Sequence, residues 1–302
     1  MINICISSDE NYAKYAGVLI ASILYNAAPE DELCFYILDG GINNSTKEEI
    51  LKLKNIKDCI INFVEIDDTL FEDYRNINTH SYLPLAAFYR LKLSLLLPKV
   101  DRVIYMDCDV IVNVKLGTLF DVDLDGNILG GVLDINKRML KKNSYYINSG
   151  VLVIDLDAIR KQHIEEEFLY WTKEHLNTIQ MGDQEIINEV LKGRIKILDE
   201  KWNVQSSNFT NRSSYTNTPY IIHFVSKRKP WHFGSFSYHR KYYFKYLQLT
   251  PWALTDDEKW YWYVWNQIVS LYRYFLYRPL FIFRPRFYKA LFYTYIKPLL
   301  KG

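Results

Sequence analysis

The sequence predicts an α/β fold with a mixed, mostly parallel sheet flanked by helices, and three observations carry this. Through the first two-thirds of the chain, short apolar runs of strand length alternate with longer segments of helical character. The connections between them are short, as in strand–helix–strand units. The composition, 49% apolar and 24% charged over 302 residues, is that of a globular protein, and it excludes a disordered, collagenous or coiled-coil chain. The length suits one large α/β domain with an appendage, or about two domains of roughly 150 residues.

The elements follow in order. Residues 2–7 read as a strand, and 9–28 as a loop and helix that Asp9 can cap. Residues 33–38 form a second strand and Gly40-Gly41 a turn. Ser45-x-x-Glu48 has the capping-box pattern and opens a helix to about residue 53. Residues 60–66 are a third strand, 86–97 a helix, and 102–106 a short apolar strand. Residues 128–133 and 151–154 are further strands, with helices over 163–175 and 183–191. Residues 202–220, rich in Asn, Ser and Thr, read as loop, and the apolar run from Tyr220 delivers His223. In such sheets ligands bind beyond the carboxyl ends of the strands.

Charge and aromatic residues are unevenly placed. From Lys259 to the C-terminus there are 8 basic and no acidic residues, with 16 of the 48 aromatics. The preceding 258 residues carry 29 basic and 35 acidic side chains, so the net +2 averages an acidic body and a basic tail. The expected organisation is a body suited to small-molecule chemistry over 1–237 and a C-terminal helical, basic aromatic segment over 238–302. Arg and Lys among Trp, Tyr and Phe are the mixture that settles at a membrane surface. The many Leu, Ile and Phe speak against nucleic acid. No apolar run reaches the roughly 18 residues of a spanning helix. The start of the chain has no secretory signal pattern. A cytoplasmic protein, peripheral at the inner face of the plasma membrane, is therefore expected. Cys5, Cys34, Cys59 and Cys108 have no metal-finger spacing, and reduced thiols are expected.

The sharpest chemical signal is Asp107-Cys108-Asp109 after the strand over 102–106. A turn there lets both carboxylates reach one cation, and such oxygens suit Mg²⁺ or Mn²⁺, which in turn bind diphosphate. Taken alone, the pair also reads as a solvated turn. His223 is a suitable third ligand, although a histidine in an apolar run is ordinarily a core residue. Lys229 can neutralise phosphate. Asn148-Ser149-Gly150 allows close approach of a ligand, and Asp183 either serves the site or merely caps its helix. No dinucleotide-binding Gly-x-Gly-x-x-Gly and no Walker A loop is present, so NAD and P-loop chemistry are unsupported. The Asp-x-Asp also resembles the haloacid-dehalogenase-like phosphatase nucleophile motif. However, Ile111 stands where Thr or Val is usual, and about a hundred residues come first.

Together and in order, six segments resemble family 8 of the retaining glycosyltransferases. They are Ser8-Asp9-Glu10-Asn11-Tyr12, Tyr89-Arg90-Leu91-Lys92-Leu93, Tyr105-Met106-Asp107-Cys108-Asp109, Asn148-Ser149-Gly150-Val151-Leu152, Gly182-Asp183-Gln184 and His223-x5-Lys229-Pro230-Trp231. The likeness covers about residues 1–235. It is nearest to the bacterial lipopolysaccharide galactosyl- and glucosyltransferases, with glycogenin more distant. It implies a GT-A fold binding a UDP-sugar and Mn²⁺, with Mg²⁺ as the alternative ion. Asp107, Asp109 and His223 would hold the metal. Asp9, Asn11 and Tyr12 would lie near the uridine. Arg90, Asp134, Asn148, Asp183 and Gln184 would surround the donor sugar. Lys229 would touch the diphosphate, near Cys108 and Ser226. The family commonly has Gly where this chain has Ser226, and the span from Asp134 to Asn148 is short.

The implied activity moves glucose or galactose with retention to a glycan or lipid-linked oligosaccharide. Gln184 is a poor nucleophile, which favours front-face attack. A glycogenin-like self-glycosylating protein and a UDP-sugar-binding protein without turnover are the alternatives.

Overall fold

The computed structural model describes residues 1–75, 77, 84–206, 219–225, 227, 229–232, 235, 237 and 239–277. Among these, seven strands form one sheet in the order β3-β2-β1-β4-β7-β6-β8. They are β1 (Ile2–Ser8), β2 (Leu33–Asp39), β3 (Ile60–Glu65), β4 (Arg102–Met106), β6 (Leu129–Leu133), β7 (Ile147–Asp155) and β8 (Ile195–Ile197). The run β3-β2-β1-β4 is parallel, β7 is antiparallel to both neighbours, and β8 is parallel to β6. A second sheet joins β5 (Val110–Val112), β10 (Ile221–His223) and β9 (Val204–Gln205).

Both faces of the large sheet are covered, which explains its apolar strands. Successive residues go to opposite sides. Ile4 and Ile6, Ile104 and Met106, and Val151 and Val153 join one core cluster. Cys5, Val103, Tyr105, Leu152 and Ile154 join the other. The four cysteines are free and buried, as expected.

Helix α1 (Glu10–Asn26) starts as the sequence indicates: Asp9 is extended and its carboxylate accepts the Tyr12 N–H at 2.9 Å. Three expectations are corrected. First, helix α2 (Asn44–Leu51) starts at Asn43 and makes no side-chain cap of its own. Glu10 of α1 supplies the acceptors instead, taking the Asn43 N–H and the Thr46 hydroxyl at 2.9 and 2.8 Å. Second, residues 86–97 form two 3₁₀ segments, Leu85–Ala87 and Tyr89–Lys92, then one α-turn, Leu93–Leu96. Half-buried Glu165, from helix α3 (Ile164–His175), accepts the Ser94 and Leu95 N–H groups and starts that turn afresh. Third, the strand placed at 151–154 is longer: it is the nine-residue β7, which starts at Ile147 and runs antiparallel to β4 within the mixed sheet.

Beyond residue 238 the body continues. Helix α5 (Arg240–Leu247) buries Tyr243, Tyr246 and Leu247 against Val18, Ile111, Ile222 and Phe224. The Tyr246 hydroxyl accepts from Asn26 at 2.8 Å and donates to Asn113 at 3.0 Å. Helix α6 (Asp256–Tyr277) follows. No described helix is long and apolar enough to cross a membrane. Ser226 and residues 278–302 lie outside the described residues.

Candidate active site

β1 and β4 lie side by side and parallel, with Ile6 opposite Met106, so Asp9 and Asp107 leave the sheet at the same edge. Here the strand order turns from one half of the sheet to the other, which is where this architecture opens a crevice. The cleft has a volume of about 540 Å³, and Asp9, Tyr12, Arg90, Asp107, Asp134 and Gln184 are among its lining residues.

Two pairings bring the metal-ligand candidates together. β5 runs antiparallel to β10 with Val110 opposite His223, and the Phe224 N–H donates to the Asp109 carbonyl at 3.0 Å. Beside them the Asp107 N–H donates to the Gly150 carbonyl of β7 at 2.9 Å. One ligand atom from each of Asp107, Asp109 and His223 falls within 4.8 Å of the others. His223 Nε2 lies 3.2 Å from Asp109 Oδ1 and 3.8 Å from Asp107 Oδ2. Lys229 Nζ lies 2.6 Å from Asp109 Oδ2.

The residues fit a divalent cation on two observations. Asp109 Oδ1 is buried without a hydrogen-bond partner, an expense that an ion would offset. A Cβ at Gly150 would meet His223 Cε1 at 2.2 Å and Asp107 Oδ2 at 2.7 Å, so only glycine leaves these ligands their places. Burial opposes ionisation of Asp109, yet the Lys229 ammonium beside it favours the carboxylate and holds the carboxyl below its ordinary range.

Next to this cluster lies a buried polar network. Arg90 is the hub, with Nη2 2.6 Å from Asp107 Oδ1, Nε 3.1 Å from Asp183 Oδ2 and Nη1 2.6 Å from the Ser149 carbonyl. Burial raises the Asp183 pKa despite Arg90. Gln184 Oε1 accepts from Asn148 Nδ2 at 3.1 Å and the Ser149 N–H at 3.2 Å, while its Nε2 donates to Asp134 Oδ2 at 2.9 Å. Asp183 does not cap helix α4 (Asp183–Val190). That place is Gly182, at φ +60°, a region glycine favours, which frees Asp183 for Arg90 and the Ser149 hydroxyl.

Of the residues expected in the site, Asp9, Tyr12, Arg90, Asp107, Cys108, Asp109, Asp134, Asn148, Asp183, Gln184, His223 and Lys229 all line the cleft. Asn11 does not. It is exposed, and its amide reaches back to Asp9 at 3.5 Å because α1 turns it away. Cys108 directs its thiol inward to the Ser7 carbonyl at 2.9 Å. Ser226 is outside the described residues. Sequence reasoning missed Asn203 and Gln205, in a stretch read as loop. Gln205 accepts the Ile135 N–H at 3.1 Å and donates to the Leu133 carbonyl at 2.9 Å, fixing the turn that carries Asp134. Their only signal was an alternation of polar and apolar residues too short to read.

Known proteins match this arrangement. The chain is 29% identical to general stress protein A of Bacillus subtilis over 274 residues, covering 83% of this chain and 95% of that protein. It is 27% identical to lipopolysaccharide 1,2-glucosyltransferase of Escherichia coli K12, covering 85% and 80%. The galactosyltransferase LgtC, solved with donor and acceptor sugar analogues, superposes at a TM-score of 0.72 over 85% of this chain and 99% of its own, at 23% identity. GlyE of Streptococcus pneumoniae gives 0.65 over 88% and 62%, at 20% identity. These likenesses show the GT-A fold. The glycosyl transferase family 8 model matches residues 3–234, which decides against the phosphatase reading of Asp107-Cys108-Asp109. The fold, the order of the motifs and this match over most of the chain agree: the chain belongs to glycosyltransferase family 8.

Proposed function

We propose that this glycosyltransferase is a metal-dependent retaining hexosyltransferase. It moves glucose or galactose from UDP to a glycan or lipid-linked oligosaccharide in cell-surface glycan assembly. One observation carries the reading: the Asp107, Asp109 and His223 cluster with Lys229 shares a cleft with the Asp134, Asp183 and Gln184 network. The first group suits a cation and diphosphate, and the second suits sugar hydroxyls. The kinship with lipopolysaccharide 1,2-glucosyltransferase supports the acceptor class.

Asp107, Asp109 and His223 would hold Mn²⁺, or Mg²⁺ in its place. Such an ion supplies Lewis-acid stabilisation to the leaving diphosphate. Lys229 adds fixed positive charge where negative charge develops. Asp9 and Tyr12 border the uridine end. Gln184 Oε1 already accepts two hydrogen bonds, which makes a neutral amide oxygen a still poorer nucleophile. Front-face attack is therefore favoured. The acceptor oxygen bonds to the anomeric carbon as the bond to UDP breaks, and the acceptor proton passes to the departing phosphate oxygen. Asp183 and Asp134 orient the sugar hydroxyls.

The enzyme works at the cytoplasmic face of the membrane. On helix α6, Tyr261, Trp265, Ile268, Tyr272 and Leu276 are all exposed. Their spacing of three and four residues places them on one face. Basic groups near anionic lipid gain about 1 kcal/mol each.

A panel of UDP-sugars with Mn²⁺, read by UDP release with and without lipid-linked acceptors, tests the reading. Acceptor-stimulated release from UDP-glucose or UDP-galactose supports it. A rise in the protein's own mass would instead mark self-glycosylation, and tight binding without release a non-catalytic protein.

A further inference from the structure

Asn203 closes the 3₁₀ turn Glu200–Asn203, immediately before β9. β9 pairs with β10 so that Gln205 lies opposite His223, which brings Asn203 beside the imidazole. The residue is 1% exposed and His223 4%. A side-chain amide this deep must satisfy both of its ends.

Backbone N–H groups determine which end is which. The Gly150 N–H only donates, so the Asn148 atom 3.1 Å from it is Oδ1. The Ser149 N–H fixes Gln184 Oε1 in the same way, and Asn148 Nδ2 then donates to it. Asn148 Oδ1 takes a second donor, Asn203 Nδ2, at 2.9 Å. The other end of Asn203, its Oδ1, therefore faces His223 Nδ1 at 3.2 Å. An oxygen there requires a proton on Nδ1. In the neutral ring Nε2 is then bare, and it points at Asp109 Oδ1, the buried oxygen without a partner, and at Asp107 Oδ2. Three acceptors thus converge on one place.

We propose that Asn203 is a positioning residue for the cation site: it fixes His223 as the Nδ1–H tautomer and aims a bare Nε2 between the two aspartates. The chain Gly150–Asn148–Asn203–His223 joins the metal end of the cleft to the sugar end through one set of amides. This rests on the reading of Asp107, Asp109 and His223 as a cation site, but the tautomer itself is a property of the metal-free protein.

The experiment uses the full chain labelled with ¹⁵N-histidine, without metal, at an alkaline pH where an imidazole ring is neutral. Long-range ¹H–¹⁵N spectra give the tautomer of His223, assigned by its loss in His223→Gln. Mn²⁺ affinity is measured separately by electron paramagnetic resonance. The wild type is expected to show Nδ1–H. Asn203→Ala should lose that preference and bind Mn²⁺ about 10–100-fold more weakly, the usual cost of removing the outer partner of a ligating histidine. Asn203→Asp keeps an acceptor at Nδ1 and should hold the tautomer and recover most of the affinity. An Nε2–H wild type overturns the proposal, even if no variant folds. Wild-type tautomer and affinity in Asn203→Ala overturn it too. A wild type with the Nδ1–H tautomer that binds no Mn²⁺ would instead refute the cation site.

Discussion

Gly150→Ala tests the metal cluster at its tightest point. The added Cβ would sit 2.2 Å from His223 Cε1, where ordinary contact begins at 3.4 Å. The ring must therefore retreat by about 1.2 Å, or β7 must shift by as much. Asp107 Oδ2, at 2.7 Å, is pushed as well. Metal–ligand distances tolerate only about 0.2 Å. Mn²⁺ affinity should thus fall by about 100-fold or more, beyond what loss of an outer hydrogen bond costs. Overpacking should also lower stability by about 1–3 kcal/mol. Gly131→Ala is the control, since its Cβ would meet Ile147 Cδ1 at 2.5 Å, in the core. The terminal Ile147 methyl can turn aside, so this variant should lose no more stability than Gly150→Ala and should keep its Mn²⁺ affinity. Mn²⁺ titration by electron paramagnetic resonance, with urea unfolding of each variant, reads both quantities. Wild-type Mn²⁺ affinity in Gly150→Ala, or equal loss in both variants, would refute the reasoning.

Other predictions follow from the same network. Asp109→Ala should abolish Mn²⁺-dependent turnover in a folded protein, and near-wild-type activity would reject the assignment. The depressed pKa of Asp109 contributes stability above the ordinary aspartate range, about pH 4, which is lost as the pH falls towards the folded value. Asp109→Ala should therefore lose less stability than the wild type on acidification below that range, as followed by urea midpoints. Glu165→Ala strips acceptors from the Ser94 and Leu95 N–H groups and should cost about 1–3 kcal/mol in urea unfolding. Burial pushes the Cys59 thiol up to about 11 and Cys5 and Cys108 further. The native protein at pH 8 should then react slowly with a thiol reagent, and rapidly once unfolded in urea. Deleting residues 272–302 should release the protein from anionic liposomes, and unchanged co-sedimentation would exclude docking through that segment.

Features that short-range chemistry decides are legible in the amino-acid sequence. The strands ending at Ser8 and Met106 are apolar runs, and Asp9 caps its helix with its own carboxylate. Asp107, Asp109 and His223 were legible as ligand types, and their order with the other motifs as a family pattern. What was not legible came from partners distant in sequence. Glu10 replaced the expected capping box of α2, and Glu165 divided the helix expected over 86–97. Asn203 sits 55 residues from Asn148 and 20 from His223, so no local pattern announces it. The direction of β7 depends on its pairing with β4, which periodicity does not encode.

The most direct test of metal-dependent sugar transfer is UDP release from UDP-glucose and UDP-galactose, in Mn²⁺, after chelation, and after Mn²⁺ is restored. Release from at least one donor that stops with chelator and returns with Mn²⁺ is the expected result. Release that continues unchanged in the chelator, or no release from either donor with Mn²⁺ and acceptor present, would contradict it.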